Sequence, residues 1–336
     1  MRGPSLKIKS VSPSAGIVGG KVTIEGTGFD PEEPSTHVSF GGVAARPTLI
    51  SKSRIVALIP DNAVLGPISI SIKDKKSNLH SFVLGRKLVE NVHPVDSPVY
   101  DTKDNLYVTF SGKRGETVPV SVYKVSPDGT VNPFLSNVPN ATSLAFDKQG
   151  NLYISSRFEG CIYRATPQAD VSIFAKDLGV PTGIAFDQQG NLFVGDRSGR
   201  ILRISPDGNV TVFAEVLESM VAFHLALDLE GNLLVSSPSL SSYNHIFMID
   251  RFGKVIPMQG GFGRPQGMAV DKNGNIYLCE AKAGDSAVYK IAPSGQITTV
   301  LTGPVMVGLA FDKKGNLAVA CQDAVYLVPI GKNGRG

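Results

Sequence analysis

Short apolar runs alternate with polar turns along the chain, and from residue 97 onward one pattern recurs six times. An apolar run ends at an Asp, a polar turn containing a Gly-Asn pair usually follows, and a second β-rich run comes next, as in TGIAFDQQGNLFVG (182–195). The turn asparagines lie 46, 40, 41, 43 and 41 residues apart; they are Asn105, Asn151, Asn191, Asn232, Asn275 and Asn316. This spacing is the period of a four-stranded propeller blade.

Each repeat continues with two further predicted strands. A third strand stops at a turn signal, as in LRISPDG (202–208), and an outer strand follows, as in VTVFAEV (210–216). Asp and Asn accept local backbone hydrogen bonds and Gly tolerates positive φ, so these segments are typical of hairpin turns. The pattern predicts an all-β chain whose larger part is a six-bladed β-propeller.

The sixth repeat lacks an outer strand. After AVYLVPI (324–330) only GKNGRG remains, whereas GRKLVENV (85–92) has strand character and no other obvious partner. An unpaired edge would leave a row of unsatisfied backbone groups. We therefore predict a propeller domain over 86–336, closed by a strand from about 85–92 that pairs around 325–327.

Residues 7–84 contain short alternating strands separated by Gly- and Pro-rich turns, which predicts an immunoglobulin-like β-sandwich over 1–85. We expect this domain to have its own core and to contact the propeller little beyond the junction near Gly85. The block resembles the IPT/TIG family of immunoglobulin-like domains. The segments that carry the resemblance are 12–20, Gly26-Thr27-Gly28-Phe29, Phe40-Gly41-Gly42 and Ile59-Pro60. The family is mostly a spacer or an interaction module, so the resemblance implies no catalysis here.

Composition narrows the function classes. The chain has 336 residues, 42% of them hydrophobic, and a net charge of +4, but no apolar run near the length of about 18 needed for a membrane span. The first residues lack an apolar signal core, which leaves a cytoplasmic protein or an exported one whose signal has been removed. Cys161, Cys279 and Cys321 show no metal-ligand spacing, so we expect free buried thiols. Motifs of serine hydrolases, nucleotide-binding loops and zinc sites are absent from the sequence.

The segments VPTGIAFDQQGNLFVGD (180–196) and RPQGMAVDKNGNIYLCE (264–280) resemble NHL repeats. They are also similar to the wider superfamily of senescence-marker/gluconolactonase enzymes, strictosidine-synthase-like proteins and streptogramin lyases. The resemblance implies the propeller fold. It leaves the function open, because these relatives include hydrolases, lyases and binding domains.

In such propellers the starts of the inner strands and the ends of the second strands open onto one mouth of the central channel. The polar side chains at or beside these positions are the predicted ligand-binding residues. They are Asp96, Thr142, Arg157, Thr182, Asp196, Arg197, His224, Gln266 and Glu280.

The resemblance to gluconolactonases implies a divalent cation held by several oxygen ligands from inner-strand starts. Here those starts offer Asp96 and Gln266, with the apolar Phe223 and Val307 between them. The remaining metal candidates are Asp196 and Glu280, from other blades. We expect no cofactor, and a Ca²⁺ or Mg²⁺ ion is the alternative.

The resemblance to streptogramin lyases implies a His base at an inner-strand start and a Glu at the end of the next strand. Blade five has Gln266 and Glu280 at these positions. Glutamine cannot accept a proton near neutral pH, so that base is absent.

We therefore expect a binding protein whose channel mouth, an acidic inner ring with a basic rim, holds a small polar molecule or a protein partner. Chelators should then change neither stability nor binding. The alternative is an enzyme, a divalent-cation-dependent hydrolase of the gluconolactonase type. A third hypothesis is the binding of RNA or another polyanion through the Arg/Lys loops, although phosphate binding needs a clustered basic patch rather than a small net excess.

Overall fold

The computed structural model describes residues 5–216, 222–282 and 285–332. Within these ranges the chain is almost entirely β-strand, with one short 3-10 helix at Ile330–Lys332. The predicted all-β class is confirmed, because an immunoglobulin-like sandwich precedes six antiparallel blades of four strands each, and the sheet of blade five gains two further strands from the N-terminal part. No helix in these ranges is long and apolar enough to cross a bilayer.

The N-terminal part contains ten short strands. They are β1 (Lys7–Ser12), β2 (Ala15–Gly16), β3 (Lys21–Thr27), β4 (His37–Phe40), β5 (Val43–Ala45), β6 (Pro47–Ile50), β7 (Arg54–Leu58), β8 (Ile68–Ile72), β9 (Lys75–Lys76) and β10 (Val83–Leu84). Two sheets, ordered β1-β3-β7-β6 and β5-β4-β8-β9, form the sandwich. Alternate residues of β3 are buried, and Ile24 pairs with Ile55 of β7 inside the core. The apolar residues that alternate along the sequence thus lie on the inward face of each sheet.

Strand β11 (Arg86–Glu90) leads into the propeller, whose blades follow in chain order. The first three blades are built from β12 (Val99–Tyr100), β13 (Leu106–Thr109), β14 (Val122–Val125), β15 (Val131–Leu135), β16 (Ala141–Phe146), β17 (Leu152–Ser156), β18 (Cys161–Ala165), β19 (Val171–Ala175), β20 (Pro181–Phe186), β21 (Leu192–Asp196), β22 (Arg200–Ile204) and β23 (Val210–Glu215). The last three are built from β24 (His224–Leu227), β25 (Leu233–Ser236), β26 (Asn244–Ile249), β27 (Val255–Phe262), β28 (Pro265–Val270), β29 (Ile276–Glu280), β30 (Ala287–Ile291), β31 (Ile297–Thr302), β32 (Met306–Phe311), β33 (Leu317–Cys321) and β34 (Ala324–Val328).

Blade six takes its outer strand from the start of the domain. Strand β11 pairs antiparallel with β34, with Arg86 opposite Leu327 and Lys87 opposite Tyr326. The two ends of the propeller are therefore joined by backbone hydrogen bonds, which cover the outer edge of β34.

The repeated Asp and Asn form the turn between the first two strands of each blade. In blade two, Asp147 Oδ1 accepts hydrogen bonds from the backbone N–H groups of Gln149 and Asn151, and Asn151 Nδ2 donates to Asp147 Oδ2 at 2.7 Å. Gly150 has a φ of +84°, which a side chain would oppose. Asp104 takes the corresponding left-handed position in blade one. The sequence repeat is thus a repeated Asx-type turn.

Aromatic side chains pack between neighbouring blades. Tyr153 lies between Phe174 of its own blade and Phe186 of blade three, with ring centroids 4.9 and 4.8 Å away in edge-to-face geometry. Nearer the axis the inner strands approach closely, because a Cβ atom on Gly183 would lie 2.5 Å from the carbonyl oxygen of Phe223. The apolar repeats therefore pack blade against blade as well as strand against strand.

The two domains share a sheet and part of a core. Strand β2 pairs in parallel with β31, and the backbone N–H of Ile17 donates to the carbonyl of Thr302 at 2.9 Å. Ile17 is fully buried in a cluster with Leu301 and Met306 of the propeller. This corrects the expectation of little contact beyond Gly85. The segment after β1 extends blade five outward and inserts an isoleucine into it.

The expectation of free, buried cysteines is confirmed for Cys161, Cys279 and Cys321. Cys279 and Cys321 belong to the same core cluster, in adjacent blades. Burial raises the pKa of Cys321 to about 12 and that of Cys279 well above its usual value. Both groups are therefore neutral thiols that fill space in the core.

Candidate ligand-binding site at the channel mouth

A pocket of about 650 Å³ opens at the mouth where the inner strands begin. We call it the mouth pocket. Its lining includes Thr142 and Arg157 from blade two, several residues of blades four and five, and Gln322 from blade six. The pocket therefore spans the axis instead of lying within one blade.

Three cationic side chains surround the mouth pocket. Arg157 is half-buried, whereas Arg264 and Lys282 are exposed. None of the three side chains makes a hydrogen bond or an ion pair with another described residue, and no described Asp or Glu lines the pocket. Burial lowers the pKa of Arg157, and the nearby Arg197 and Arg114 lower it further. The charged side chains among the described lining residues are therefore all cationic.

Neutral polar groups complete the lining. The side-chain amide of Gln266 donates to the carbonyl of Pro265 at 3.2 Å, and its oxygen accepts no hydrogen bond from a described residue. Thr142 Oγ1 donates to the carbonyl of Asn140 at 2.8 Å. Ser242 and Gln322 add a hydroxyl and an amide. The pocket can thus offer hydrogen bonds to hydroxyl groups as well as charge to an anion.

Two predicted site residues form a pair beneath the pocket. Asp96 Oδ1 lies 2.7 Å from His224 Nδ1, and both side chains are buried. Asp96 precedes β12 of blade one and His224 begins β24 of blade four, so the contact joins opposite blades of the ring. Asp96 also lines a channel cavity of about 390 Å³, whereas its neighbour Val95 lines the mouth pocket. The pair therefore separates the pocket from the channel.

His224 has a second, unsatisfied nitrogen. Its Nε2 atom is buried and has no hydrogen-bond partner among the described residues. Asp96 also accepts a hydrogen bond from the backbone N–H of Ser97 at 2.7 Å. Because the carboxylate holds Nδ1 as the donor, a neutral ring leaves Nε2 as an acceptor.

The predicted acids Asp196 and Glu280 hold loops in place. Arg200 and Ser198 donate to Asp196 Oδ2 at 2.5 and 2.6 Å. Burial acts to raise the pKa of Asp196, but these hydrogen bonds and one from the backbone N–H of Val180 outweigh it and lower the pKa below 3.8. The carboxylate is therefore ionised and already bonded at neutral pH.

Glu280 accepts hydrogen bonds from the backbone N–H groups of Gly263 and Arg264. The Glu280 carboxylate thus holds the segment that carries Arg264 in place, and it does not line the pocket. This corrects the expected acidic inner ring: the carboxylates of Asp96, Asp196 and Glu280 are each hydrogen-bonded to a different protein partner. Among the described residues no three His, Cys, Asp or Glu side chains are grouped to hold a metal ion.

The remaining predicted residues have separate positions. Thr182 is fully buried, donates to the carbonyl of Gly195 at 3.0 Å and accepts from the backbone N–H of Phe223 at 2.9 Å. It therefore joins blades three and four and lies outside the mouth pocket. Arg197 lies beside Arg157 in a neighbouring pocket. Thr142, Arg157 and Gln266 are the predicted residues that the structure brings together around the mouth pocket.

Comparison with known proteins agrees with this architecture. Residues 6–83 match the IPT/TIG domain. The N-terminal sandwich is an IPT/TIG domain. Residues 180–204 match the model of the N-terminal part of strictosidine synthase-like proteins. No curated protein matches the chain in sequence. The IPT/TIG domain and the propeller together therefore confirm the resemblances expected from the repeats and turns.

Three solved structures share the fold. An auxiliary nutrient binding protein from Bacteroides thetaiotaomicron is 14% identical with a TM-score of 0.59, over 96% of this chain and 97% of that one. A gluconolactonase from Xanthomonas campestris is 17% identical with a TM-score of 0.59, over 72% and 88%. Virginiamycin B lyase from Staphylococcus aureus is 15% identical with a TM-score of 0.54, over 72% and 97%. At these identities the likeness shows the fold alone.

The predicted ligand-binding residues lack four polar contributors to the mouth pocket, which are Ser242, Arg264, Lys282 and Gln322. Arg264 directly precedes the inner strand β28, as Asn140 directly precedes β16 in blade two. Gln322 directly follows the end of a second strand, as Arg157 does. The signal that identifies them is their position relative to the repeat.

Proposed function

We propose that the protein binds a small, hydroxylated anion in the mouth pocket without catalysing a reaction. The observation that carries this proposal is the arrangement of Arg157, Arg264 and Lys282. They converge from blades two and five on one pocket of about 650 Å³, with no acid among its described lining residues.

The chemistry of the lining favours a carboxylate with several hydroxyl groups. Guanidinium groups bind carboxylates through paired, charge-assisted hydrogen bonds. Gln266, Gln322 and Ser242 supply the neutral donors and acceptors that hydroxyls require. A sugar acid such as gluconate combines both features. The shared fold with a protein described as nutrient-binding is compatible with such a ligand.

The alternative is a hydrolase that depends on a divalent cation, like the gluconolactonase that shares the fold. A hard cation needs several converging oxygen ligands. Asp96, Asp196 and Glu280 instead each bond to a different protein partner. We therefore place binding ahead of hydrolysis. Gluconolactone hydrolysis by the protein that requires added Ca²⁺ or Mg²⁺ would reverse this order.

The third hypothesis, RNA or another polyanion, requires cations spread along an extended surface. The three cations of the mouth pocket surround a concave space of limited volume, which suits a small anion better. A protein partner at the same face remains a proposal as well, and binding of gluconate would compete with it.

Isothermal titration calorimetry with gluconate tests the proposal. We expect binding by the wild-type chain and an affinity about tenfold lower for Arg264→Ala, because one charge-assisted hydrogen bond is worth roughly that factor. Arg164→Ala is the matched control, since it removes the same charge from the third strand of blade two, away from the mouth. Equal affinities of the wild type and Arg264→Ala would contradict the proposal, as would an equal loss in the control.

A further inference from the structure

A second, smaller pocket adjoins the mouth pocket. It has a volume of about 270 Å³ and is lined by Arg114, Arg157, Phe158, Val180 and Arg197. We call it the side pocket. Arg157 lines both pockets, so the two spaces meet at one guanidinium group.

The loop that carries Arg114 is held in a fixed position. Asn140 is fully buried, and its Nδ2 donates to the carbonyls of Ser111 and Lys113 at 2.6 and 2.8 Å. Asn140 Oδ1 accepts from the backbone N–H of Gly115 at 2.8 Å. Three hydrogen bonds from one buried side chain therefore surround the position of Arg114. Because the backbone of this loop is already ordered, binding does not have to order it.

The side pocket concentrates positive charge next to an exposed aromatic ring. Arg114 and Arg197 lie close enough to Arg157 to repel its charge, and no Asp or Glu is among the described residues that line the pocket. Phe158 is 50% exposed and packs near Gly115, where a Cβ atom would approach its ring to 3.2 Å. Arg114 and Arg157 therefore offer an anion two guanidinium groups beside the mouth pocket.

We infer that the side pocket is a second anion subsite, so that the ligand of this protein carries two anionic groups, one in each pocket. This inference rests on the proposed function of the mouth pocket. The ligand class is then a sugar acid with a second acidic group, either a carboxylate or a phosphate. Arg157 contacts both ends of such a molecule, and Arg114 contacts the second acidic group alone.

Three ligands of equal carbon length test the inference by calorimetry. Gluconate has one carboxylate, glucarate has a second carboxylate, and 6-phosphogluconate has a phosphate at the far end. We expect at least one of the two dianions to bind the wild-type chain about tenfold more tightly than gluconate, through the added charge-assisted hydrogen bonds. The tighter of the two identifies the second group.

The variant Arg114→Ala isolates the side pocket. It should lower the affinity for the preferred dianion about tenfold, to the level of gluconate, and leave gluconate binding unchanged. Arg264→Ala should lower the affinity for all three ligands, and the control Arg164→Ala should lower the affinity for none of them. Arg114 is exposed and its side chain bonds to no described residue, so the melting temperature should stay close to that of the wild type.

The outcomes separate this inference from the proposed function. Equal affinity for gluconate and both dianions, with a loss in Arg264→Ala alone, overturns the second subsite and keeps the function of the mouth pocket. An equal loss in Arg114→Ala and Arg164→Ala also overturns the subsite, because it reports net charge only. Failure of the wild type to bind any of the three ligands overturns the proposed function and the inference with it.

Discussion

Asp96 and His224 meet across the propeller axis, with 2.7 Å between Oδ1 and Nδ1. They lie 128 residues apart in sequence and belong to opposite blades. This contact therefore ties the first blade to the fourth, and it forms the floor between the mouth pocket and the channel.

We predict that His224→Ala destabilises the fold by about 3 kcal/mol, because it leaves the buried carboxylate of Asp96 without its side-chain partner. Asp96→Asn should cost less, since the amide oxygen can still accept from Nδ1–H. Chemical denaturation measures both changes. His245→Ala, a partly exposed histidine of the same blade, is the control. If His224→Ala and His245→Ala have the same stability, the pair does not support the ring.

Asp196 gives a pH-dependent prediction. Its pKa is lowered in the folded chain, so its stabilisation is complete above the ordinary value of 3.8 and disappears as the pH falls through the lower folded value. Asp196→Asn should therefore cost about 2 kcal/mol at pH 7 and less near pH 3, which lies below the ordinary pKa of the carboxyl. Thermal melts of the variant and the wild type at both pH values test this. A difference that stays constant with pH would contradict the assignment.

This prediction changes what the sequence alone suggests for Asp196. From the repeat pattern, Asp196 and Glu280 are polar side chains at a ligand mouth, and Asp196→Asn or Glu280→Gln should affect binding only. In the structure Asp196 accepts from Arg200 and Ser198, and Glu280 accepts from the backbone of Gly263. The position of a residue in the repeat predicts where its backbone lies in the blade. Its hydrogen-bond partners come from segments whose sequence varies between blades.

The fold itself was predictable because its signals are local. Each Asp and Asn of the repeat bonds within the same turn, as Asp147 and Asn151 do, so the sequence contains the whole interaction. The Asp96–His224 pair and the burial of Ile17 depend on ring size and domain placement. Neither leaves a pattern in a single repeat. The cations of the mouth pocket are likewise assembled from distant blades, and Arg264 becomes visible as a candidate only after the blades are aligned.

Ile17 predicts that the two domains unfold together. Its side chain is fully buried in the propeller core, and its backbone continues the sheet of blade five. Ile17→Ala should destabilise the chain by about 2–5 kcal/mol through the cavity it leaves. Calorimetry of the wild type should show one transition. Two separate peaks, with Ile17→Ala shifting only the peak of the IPT/TIG domain, would show that the shared core does not couple the domains.

The last prediction concerns metal removal. The carboxylates of Asp96, Asp196 and Glu280 are bonded to His224, to Arg200 and to a loop backbone, and no metal-binding group of three exists among the described residues. We therefore expect EDTA to leave both the melting temperature and gluconate affinity unchanged, and added Ca²⁺ or Mg²⁺ to raise neither. Thermal melts and calorimetry with chelated and cation-supplemented protein make the comparison. A ligand that binds only the native state stabilises that state by mass action. Removal of a bound cation would therefore lower the melting temperature. A melting temperature that falls by several degrees on chelation, and that one added cation restores, would mean that the carboxylates rearrange around an ion. The hydrolase hypothesis would then be preferred to the binding protein.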